Sequence, residues 1–528
     1  MAKILDCTLR DGGYINDFAF GAEVITDIVD KLSRASVDII ECGFLRAGAN
    51  DPDKSLFGSI GAVKKVIFQK NPKTMYVAMI QYGTIGIEDI EDFTGDSVDG
   101  IRVTFHEHEI EDAFLLGEQL KRKGYKVFMQ PVGTMTYTDE ALLRLIDRVN
   151  RLQPYAFYIV DTLGTMYKKD LLRMFFLVDN NLSKSIHVGF HSHNNLQLSF
   201  ANAQELLQIN TTREIIIDSS VFGMGRGAGN LNTELITQYI NDNMIPRYNN
   251  VEILEILDQY IKPLRLQYQW GYDAPYYVSA VANCHPNYAA YLMSKQTLRV
   301  QDIHSILHKL DVEKRALFDR EYICQQYTAF MNNHVDDAQA LETLRDRIAG
   351  RKVLLVAPGK SVTAPETISK VRSLSATGEY AAISVNFHPA DFPVDLVFVS
   401  NLKRFGTVES LCRQGKEKFA VVVTSNITTD NIEDLLVVDY LSYTNQEPIV
   451  MDNAGLMCMN LLRKLGVQEL VLVGFDGFKN VAAETFAHQS MYVDVEQGFL
   501  MNEAMSRHLV QLNSQMKITF LTDSDYRM

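Results

Sequence analysis

The first 250 residues of this 528-residue chain predict a (β/α)8 barrel, and two observations support that fold class. Short apolar or β-branched runs alternate eight times with longer segments of helical period, a pattern typical of parallel strands joined by helices. Polar side chains also follow all eight runs, and barrel active sites lie at the carboxyl ends of the strands. The predicted strands are residues 3–10, 37–45, 75–80, 100–105, 126–132, 157–163, 186–191 and 215–221.

The polar groups at the predicted strand ends indicate one shared site. A single polar strand end would carry little information, because every strand must reach the surface somewhere. Polar ends on all eight strands are what a common barrel mouth would produce. The residues are Arg10, Asp11, Glu41, Gln81, Arg102, His106, Gln130, Asp161, Thr162, His191, His193 and Asp218.

Two further regions follow the barrel segment at residues 1–250. Residues 251–345 have a helical apolar pattern interrupted by aromatic residues, which predicts a helical extension. Its aromatic residues could cover the barrel mouth or simply pack the helices together. Residues 346–528 return to alternating strands and helices, and they predict a Rossmann-like α/β domain.

The second α/β domain begins with a strand followed by Gly-Lys-Ser at residues 359–361. Such a turn can hold phosphate on backbone N–H groups at a helix N-terminus. The earlier glycine of a P-loop is absent, which excludes that motif. A nucleotide or nucleotide-sugar pocket and a scaffolding role both stay open for this domain.

Composition and charge favour small-molecule chemistry. The net charge of −14 disfavours a nucleic-acid or anionic-membrane surface, since such binding requires clustered Lys and Arg. No apolar run reaches the roughly 18 residues of a membrane span, and the N-terminus lacks the pattern of a secretory signal. The six cysteines include no C-x-x-C pair, so no zinc knuckle or disulfide framework is indicated. We therefore expect a cytoplasmic protein that does not bind membranes.

Two histidines at the end of the seventh predicted strand indicate a metal site. His191 and His193 are two residues apart, so in a strand both imidazoles face the barrel mouth. Asp11, across the barrel, could add a carboxylate oxygen. Two imidazoles and a carboxylate suit a divalent ion such as Mn²⁺ or Mg²⁺, although such sites also accept Zn²⁺, Co²⁺ or Fe²⁺.

A glycine-rich loop follows the eighth predicted strand. Residues 223–230 read Gly-Met-Gly-Arg-Gly-Ala-Gly-Asn, and glycines permit close backbone approach to a ligand. Barrels often bind a phosphate or carboxylate at this position. We expect Gly225 and Gly227 to contact the substrate and the Asn230 amide oxygen to reach the metal.

Three motifs together resemble the DRE-TIM metallolyase superfamily, over roughly residues 1–300. They are Arg-Asp-Gly at residues 10–12, His-Ser-His-Asn at 191–194 and the loop that ends in Asn230. The resemblance implies that Asp11, His191 and His193 bind a metal and that Asn230 is a further ligand. It also implies that Arg10 binds substrate and neutralises the oxygen of an enolate.

The motif Val-Asp-Thr-Leu-Gly at residues 160–164 matches the end of strand six in the same superfamily. The resemblance therefore implies that Asp161 and Thr162 bind substrate.

Within the superfamily, the sequence looks most like 4-hydroxy-2-oxovalerate aldolase. The glycine loop lacks the cysteine of HMG-CoA lyase and the Gly-Glu-Arg of the acyl-CoA synthases. The implied activity is a metal-dependent aldolase that acts on a 2-oxo acid and an aldehyde through a pyruvate enolate. A Claisen-type acyl-CoA transferase or synthase is the alternative within the superfamily.

The identity of the general base is open. The aldolases carry a histidine three residues after the metal-binding aspartate, where this chain has Tyr14. Tyrosine is a poor base because its ordinary pKa is about 10. Tyr14, His285, His106 and a metal-bound water are the candidates, and His285 is slightly favoured.

Residues 352–480 resemble the Rossmann-like domains of bacterial sialyltransferase-like and motility-associated glycosyltransferase-like proteins. The resemblance implies a role in unusual-sugar or surface-polysaccharide biosynthesis. It also leaves a second alternative, a nucleotide-sugar-binding glycosyltransferase-like protein with an accessory barrel. The helical extension is compatible with a homo-oligomer.

Overall fold

The computed structural model describes residues 2–414, 419–429, 432, 435–479, 482–488, 491 and 495–526. The chain divides into two compact units, one of residues 1–290 and 307–319 and one of residues 291–306 and 320–528. The helical segment expected at residues 251–345 contributes to both units. None of the helices within the described ranges is both long enough and apolar enough to cross a membrane.

The first unit contains a closed parallel barrel, which confirms the predicted fold class. Its strands are β1 (Ala2–Asp6), β2 (Ile39–Leu45), β3 (Leu56–Phe57), β4 (Met75–Gln81), β5 (Gly100–Phe105), β6 (Lys126–Pro131), β7 (Ala156–Asp161), β8 (His187–Ser192) and β9 (Ile215–Ser219). The short β3 pairs only with the carboxyl end of β2, at residues 44 and 45. The other eight strands form the barrel, because β1 pairs in parallel with both β2 and β9.

The helices of residues 2–348 surround the barrel or continue the chain beyond it. They are α1 (Ala22–Arg34), α2 (Ile60–Lys64), α3 (Ile110–Arg122), α4 (Asp139–Leu152), α5 (Lys168–Asn181), α6 (Ser199–Gln208), α7 (Thr233–Asn243), α8 (Asn250–Ile256), α9 (Lys262–Gln267), α10 (Ala274–Val281), α11 (Pro286–Ser294), α12 (Val300–Lys309), α13 (Arg320–Met331) and α14 (Ala338–Ile348).

Helix α1 shows why these segments fold against the barrel. Ile25, Ile28, Val29 and Leu32 recur at helical spacing and are at most 2% exposed. Each such side chain contributes about 1.5–3 kcal/mol when it leaves water. Ser59 and Thr138 begin α2 and α4 by accepting backbone N–H bonds with their hydroxyl groups, as helix N-caps do.

The first strand is shorter than its sequence predicts. β1 ends at Asp6 rather than at Arg10, because the backbone N–H groups of Arg10 and Asp11 both donate to Cys7 O, at 3.1 and 2.8 Å. The apolar run continues past the strand because Cys7 and Leu9 are buried in the turn. Arg10 and Asp11 therefore lie in a tight turn directly after β1.

The second unit is built on another parallel sheet. Its strands are β10 (Lys352–Val356), β11 (Tyr380–Val385), β12 (Leu396–Val399), β13 (Ala420–Thr424), β14 (Leu435–Val438), β15 (Glu469–Val473) and β16 (Lys517–Phe520). Its helices are α15 (Pro365–Ala376), α16 (Leu402–Gln414), α17 (Ala454–Lys464), α18 (Ala482–Thr485) and α19 (Val495–Asn513). The strand order is β14-β13-β12-β11-β10-β15-β16, so the direction of winding reverses between β10 and β15.

Candidate metal centre

Asp11, His191 and His193 meet in a buried cluster at the carboxyl end of the barrel. Asp11 lies in the turn after β1, His191 belongs to β8, and His193 follows that strand directly. One ligand-type atom from each lies within 4.8 Å of the others. The side chains are buried, with residue exposures of 0%, 4% and 6%. The structure therefore brings together the three residues that the sequence predicted as metal ligands.

Two buried polar atoms at this cluster indicate that a cation fits it. His193 Nδ1 and Asn230 Oδ1 have no hydrogen-bond partner in the described structure. The Asn230 amide is fixed, since its Nδ2 donates to Asp11 Oδ2 at 2.6 Å and to Met224 O at 3.1 Å. A buried polar atom without a partner costs about 1–3 kcal/mol. A divalent ion would satisfy both atoms, and a mixed nitrogen and oxygen donor set suits such an ion.

The ionisation states of the cluster also suit a metal. Burial opposes ionisation of Asp11, but Arg10 and the two histidines outweigh burial and hold the pKa of that carboxyl well below its usual range. Burial lowers the pKa of His193 to about 3, despite the opposing charge of Asp11. At neutral pH the cluster therefore presents one carboxylate and an uncharged His193 imidazole, which are the forms that bind metals.

A chain of buried ion pairs supports the cluster from behind. His191 Nδ1 lies 3.0 Å from Asp218 Oδ2 on β9, and the same carboxylate pairs with Arg102 on β5. Arg102 Nη1 lies 2.7 Å from Glu41 Oε2, and Glu41 also accepts from Arg10 Nε at 2.7 Å. When Nδ1 of His191 donates to Asp218, Nε2 is left to bind a metal. Such a partner fixes the tautomer and the orientation of the ring.

Arg10 is held rigidly but keeps one donor free. Its Nη1 donates to Asp11 Oδ1 at 2.6 Å and its Nε donates to Glu41. Its Nη2 is buried and has no partner in the described structure. Arg10 lines the same cavity as the cluster, so this nitrogen can bind an oxygen of a substrate.

The cavity above the cluster has a volume of about 170 Å³. Pockets for drug-sized ligands are larger, about 300–1,000 Å³, so the space fits small molecules. The residues that line it include Tyr14, His106, Thr162, Arg226, His285 and Phe318. His285 and Phe318 come from the segment predicted as the helical extension, and they belong to the same compact unit as the barrel.

Tyr14 lines this cavity, but its ring contacts a cation. The guanidinium carbon of Arg226 is 4.2 Å from the centroid of the Tyr14 ring. The ring also packs edge-on against Phe18 and Phe44, with centroid distances of 5.1 and 5.9 Å. Tyr14 is therefore part of an aromatic group packed edge to face, and 38% of its surface stays exposed.

The two histidines His106 and His285 differ in which nitrogen is free. His285 Nδ1 accepts from the backbone N–H of Asn287 at 3.1 Å, which leaves Nε2–H as a donor in the neutral ring. Burial, together with the charge of Arg226, lowers the pKa of His285 to about 3, so the ring is neutral at pH 7. His106 Nδ1 instead lies 3.1 Å from Glu109 Oε2. When Nδ1–H donates to that carboxylate, Nε2 of His106 is an acceptor.

The predicted substrate residues do not all face the cavity. Thr162 lines it. Both Asp161 oxygens instead accept backbone N–H bonds, from Thr165 at 2.9 Å and Met166 at 3.0 Å, so this carboxylate orders the loop after β7. Burial raises its pKa to about 6, against the effect of those bonds.

Gly225 and Gly227 shape the loop beside the cluster. A Cβ at Gly225 would lie 2.5 Å from Asn230 Nδ2 and 3.0 Å from Asp11 Oδ2, so only glycine fits there. Gly227 has a φ of +64°, which favours glycine. Among the described residues these two do not line the cavity, and their visible role is to let the loop pass close to Asp11.

Sequence reasoning left several residues of the site without a role. Glu41, Arg102 and Asp218 are recognisable as polar strand ends, but their ion pairs depend on which strands are neighbours. Arg226 is the charged residue in the glycine-rich loop, and that charge is the signal that would have singled it out.

Comparison with known proteins places the barrel among related sequences. Residues 108–259 match the HMGL-like family model. The chain is 28% identical over 241 residues to an oxaloacetate decarboxylase of Mycobacterium tuberculosis, covering 44% of this chain and 68% of that protein. It is 28% identical over 251 residues to a 4-hydroxy-2-oxovalerate aldolase of Carboxydothermus hydrogenoformans, covering 44% and 69%.

Among solved structures, an HMG-CoA lyase from Brucella melitensis aligns with a TM-score of 0.40 and 14% identity, covering 50% of this chain and 98% of that one. The superfamily resemblance predicted for the barrel is confirmed by the sequence matches. The resemblance predicted for residues 352–480 stays a prediction.

Proposed function

We propose that the barrel is a divalent-metal-dependent aldolase, a carbon–carbon lyase that makes or breaks the bond between an aldehyde carbon and the carbon next to the carbonyl group of a 2-oxo acid such as pyruvate. The observation that carries this proposal is the buried cluster of Asp11, His191 and His193 beside the free Nη2 of Arg10. A cation site and a fixed guanidinium donor in one small cavity are what stabilisation of a developing oxyanion requires. Sequence relatives include proteins named 4-hydroxy-2-oxovalerate aldolase, which supports the same reaction class.

Asp11, His191 and His193 would hold the ion, with Asn230 Oδ1 as a further ligand. We propose Mn²⁺ or Mg²⁺, because carboxylate and amide oxygens are half of this donor set. A bound divalent ion supplies Lewis-acid chemistry that polarises the carbonyl oxygen of a 2-oxo acid.

Arg10 would donate from Nη2 to the oxygen that gains negative charge as the bond breaks or forms. Its other nitrogens are fixed by Asp11 and Glu41, so the donor needs no rearrangement during the reaction. Loss of one such donor typically lowers kcat by about 10²–10³-fold. Thr162 lines the same space and is proposed to contact substrate.

We propose His106 as the group that moves the proton, in place of His285, which the sequence slightly favours. His106 lines the cavity, and its Nε2 is an acceptor when Nδ1–H donates to Glu109, an arrangement suited to a general base. His285 presents a donor instead, since its Nδ1 already accepts from Asn287. The Tyr14 ring lies against the Arg226 guanidinium, so we assign Tyr14 a role in holding Arg226 rather than in proton transfer.

Replacement of His106 tests this assignment. General acid–base help is worth about 10²–10⁴-fold, so His106→Gln should lower kcat by at least 10²-fold. His108→Gln is the matched control, because His108 stacks on His106 at 5.7 Å but is 71% exposed at its side chain. Equal activity of the two variants would remove His106 from the mechanism.

The aldolase proposal is tested by a product screen with pyruvate and small aldehydes. Protein treated with a chelator should form no adduct, and Mn²⁺ or Mg²⁺ should restore the reaction. An Asp11→Asn, His191→Ala double variant should stay inactive with added metal. Full activity of that variant would contradict the proposal. The Claisen-type alternative predicts release of free thiol from an acyl-CoA in the presence of a 2-oxo acid.

The second unit offers one observation in favour of a ligand of its own. A cavity of about 220 Å³ lies where Gly359 follows β10 and Gly474 follows β15. This is the point at which the strand order reverses, and α/β sheets bind ligands at such points. Lys295, Arg404 and Phe475 line it with cations and an aromatic ring. We propose a nucleotide or nucleotide-sugar there, which would connect the chain with unusual-sugar or surface-polysaccharide synthesis.

Calorimetric titration of the full chain with CMP, UDP and their sugar conjugates tests this second site. Saturable binding that is weakened by Lys295→Ala supports it. Absence of binding removes it, together with the alternative of a glycosyltransferase-like protein with an accessory barrel. A cytoplasmic location and a homo-oligomeric state stay predictions.

A further inference from the structure

Arg226 in the glycine-rich loop is a cation at the barrel mouth that the proposed reaction does not use. Its guanidinium lies over the Tyr14 ring and makes no ion pair or hydrogen bond with a described side chain. Arg226 and Tyr14 line the same cavity as the metal cluster. With one face of the guanidinium covered by a ring, its N–H groups stay available, and their fork matches a carboxylate or phosphate.

Tyr14 holds this arginine in place. Its ring is fixed by edge-on contacts with Phe18 and Phe44, so the platform beneath the guanidinium is rigid. Cation–π contacts of this type are favourable, most strongly where water is excluded. The aromatic ring at position 14, where the aldolases carry a histidine, therefore has a positioning role that requires no proton transfer.

Two guanidinium groups, those of Arg10 and Arg226, line the cavity, although the chain carries −14 overall. Among the described residues that line it, Asp11 is the one carboxylate, and Asp11 already pairs with Arg10. The charge of Arg226 is thus left for a ligand to neutralise. An uncharged substrate would leave the charge of this guanidinium without a counter-charge, and a cationic substrate would be repelled by it.

The exposed fractions of the lining residues indicate which of the two substrates lies next to Arg226. Arg10 and Asp11 are 4% and 0% exposed, whereas Tyr14, beneath Arg226, is 38% exposed. In the proposed function the 2-oxo acid occupies the deep end, against the cluster and Arg10. The second substrate must enter from the open side, so its far end meets Arg226.

Building on the aldolase function proposed above, we infer that Arg226, positioned by Tyr14, binds a carboxylate or phosphate group of the aldehyde, so that the barrel acts on anionic aldehydes. In the addition, the methyl carbon of pyruvate gives a proton to the base and bonds to the aldehyde carbon, whose oxygen takes up a proton. Arg226 stays charged throughout and makes no covalent bond.

The inference is tested by kcat/KM for matched aldehydes. Succinic semialdehyde is compared with butyraldehyde, and glyceraldehyde 3-phosphate with glyceraldehyde. A hydrogen-bonded charge pair predicts a preference of about 10- to 100-fold for the anionic member of at least one pair. The pair that shows the preference identifies the anion as carboxylate or phosphate. No preference in either pair would overturn the inference.

Variants locate the preference in Arg226. Arg226→Met should reduce the anionic-to-neutral ratio to near one, and Arg226→Lys should retain part of it. Arg265→Met is the matched control, because Arg265 also stacks on a ring, that of Trp270 at 5.2 Å, but does not line the cavity. A ratio unchanged in Arg226→Met would overturn the inference.

Two further experiments test the role of Tyr14 and separate a failure of the Arg226 inference from a failure of the proposed aldolase function. Tyr14→Phe keeps the ring and should keep the preference, whereas Tyr14→Ala should lose it. Deuterium exchange into the methyl group of pyruvate requires no aldehyde and so reports the aldolase chemistry alone. Exchange without an anionic preference would overturn only the role of Arg226. Absence of exchange in the metal-loaded protein would overturn the proposed function and this inference with it.

Discussion

Replacement of Asp218 by asparagine is expected to weaken metal binding without any change in a metal ligand. Asp218 accepts from His191 Nδ1 at 3.0 Å and pairs with Arg102, while both partners stay buried. An asparagine of nearly the same shape removes one negative charge from that position. His191 then loses the carboxylate that fixes the orientation and tautomer of its ring.

The size of this effect follows from the contacts. Loss of an outer-shell carboxylate typically lowers metal affinity by about 10–100-fold. The same change leaves Arg102 with Glu41 as a carboxylate partner, at 2.7 Å from its Nη1. Breaking a buried ion pair costs about 3–5 kcal/mol when no partner remains, so the retained pair with Glu41 should keep the stability loss below that range.

The assay is competitive titration of Mn²⁺ into chelator-treated protein, with urea unfolding measured alongside. Asp38→Asn is the matched control, because Asp38 also pairs with an arginine, Arg247, and accepts from the Tyr248 hydroxyl, but its hydrogen bonds and ion pairs involve none of the three cluster residues. Asp218→Asn should lose affinity at least 10-fold more than the control. Equal metal affinity in the two variants would refute the proposed support of His191 by Asp218.

Two further predictions concern the walls of the cavity. Burial lowers the pKa of His285 to about 3, whereas the unfolded imidazole titrates near 6.5, so the unfolded state binds more protons between these values. The free energy of unfolding of the wild type relative to His285→Gln should therefore rise from pH 3 to pH 6.5 in urea titrations; a constant difference would contradict the buried neutral ring. Gly225→Ala should abolish metal binding in the Mn²⁺ titration, since its Cβ would lie 2.5 Å from Asn230 Nδ2. Gly61→Ala is the control and should bind metal normally, because its Cβ would lie 3.6 Å from the nearest atom.

Much of the barrel is predictable because its signals are local. The alternation of apolar runs and amphipathic segments predicts strands and helices, whichever strands become neighbours in the sheet. The spacing of His191 and His193, two residues apart in the chain, also predicts that both rings face one side. These features depend on neighbouring residues in the chain, so the sequence alone is enough.

The less predictable features depend on contacts between distant segments. The end of β1 is set by hydrogen bonds to Cys7 O, which an apolar run does not reveal. Asp161 looks like a substrate ligand at a strand end, but its oxygens are occupied by the next loop. The free nitrogen of His285 is determined by the N–H of Asn287.

The central claim, a metal-dependent 2-oxo acid enzyme built on Asp11, is tested most directly by exchange of the methyl hydrogens of pyruvate in deuterium oxide, read by mass spectrometry. We predict exchange by the Mn²⁺- or Mg²⁺-loaded wild type, loss of exchange on chelation, and no recovery by Asp11→Asn at any metal concentration. Exchange that persists after complete chelation, or that Asp11→Asn retains at the wild-type rate, would contradict the account.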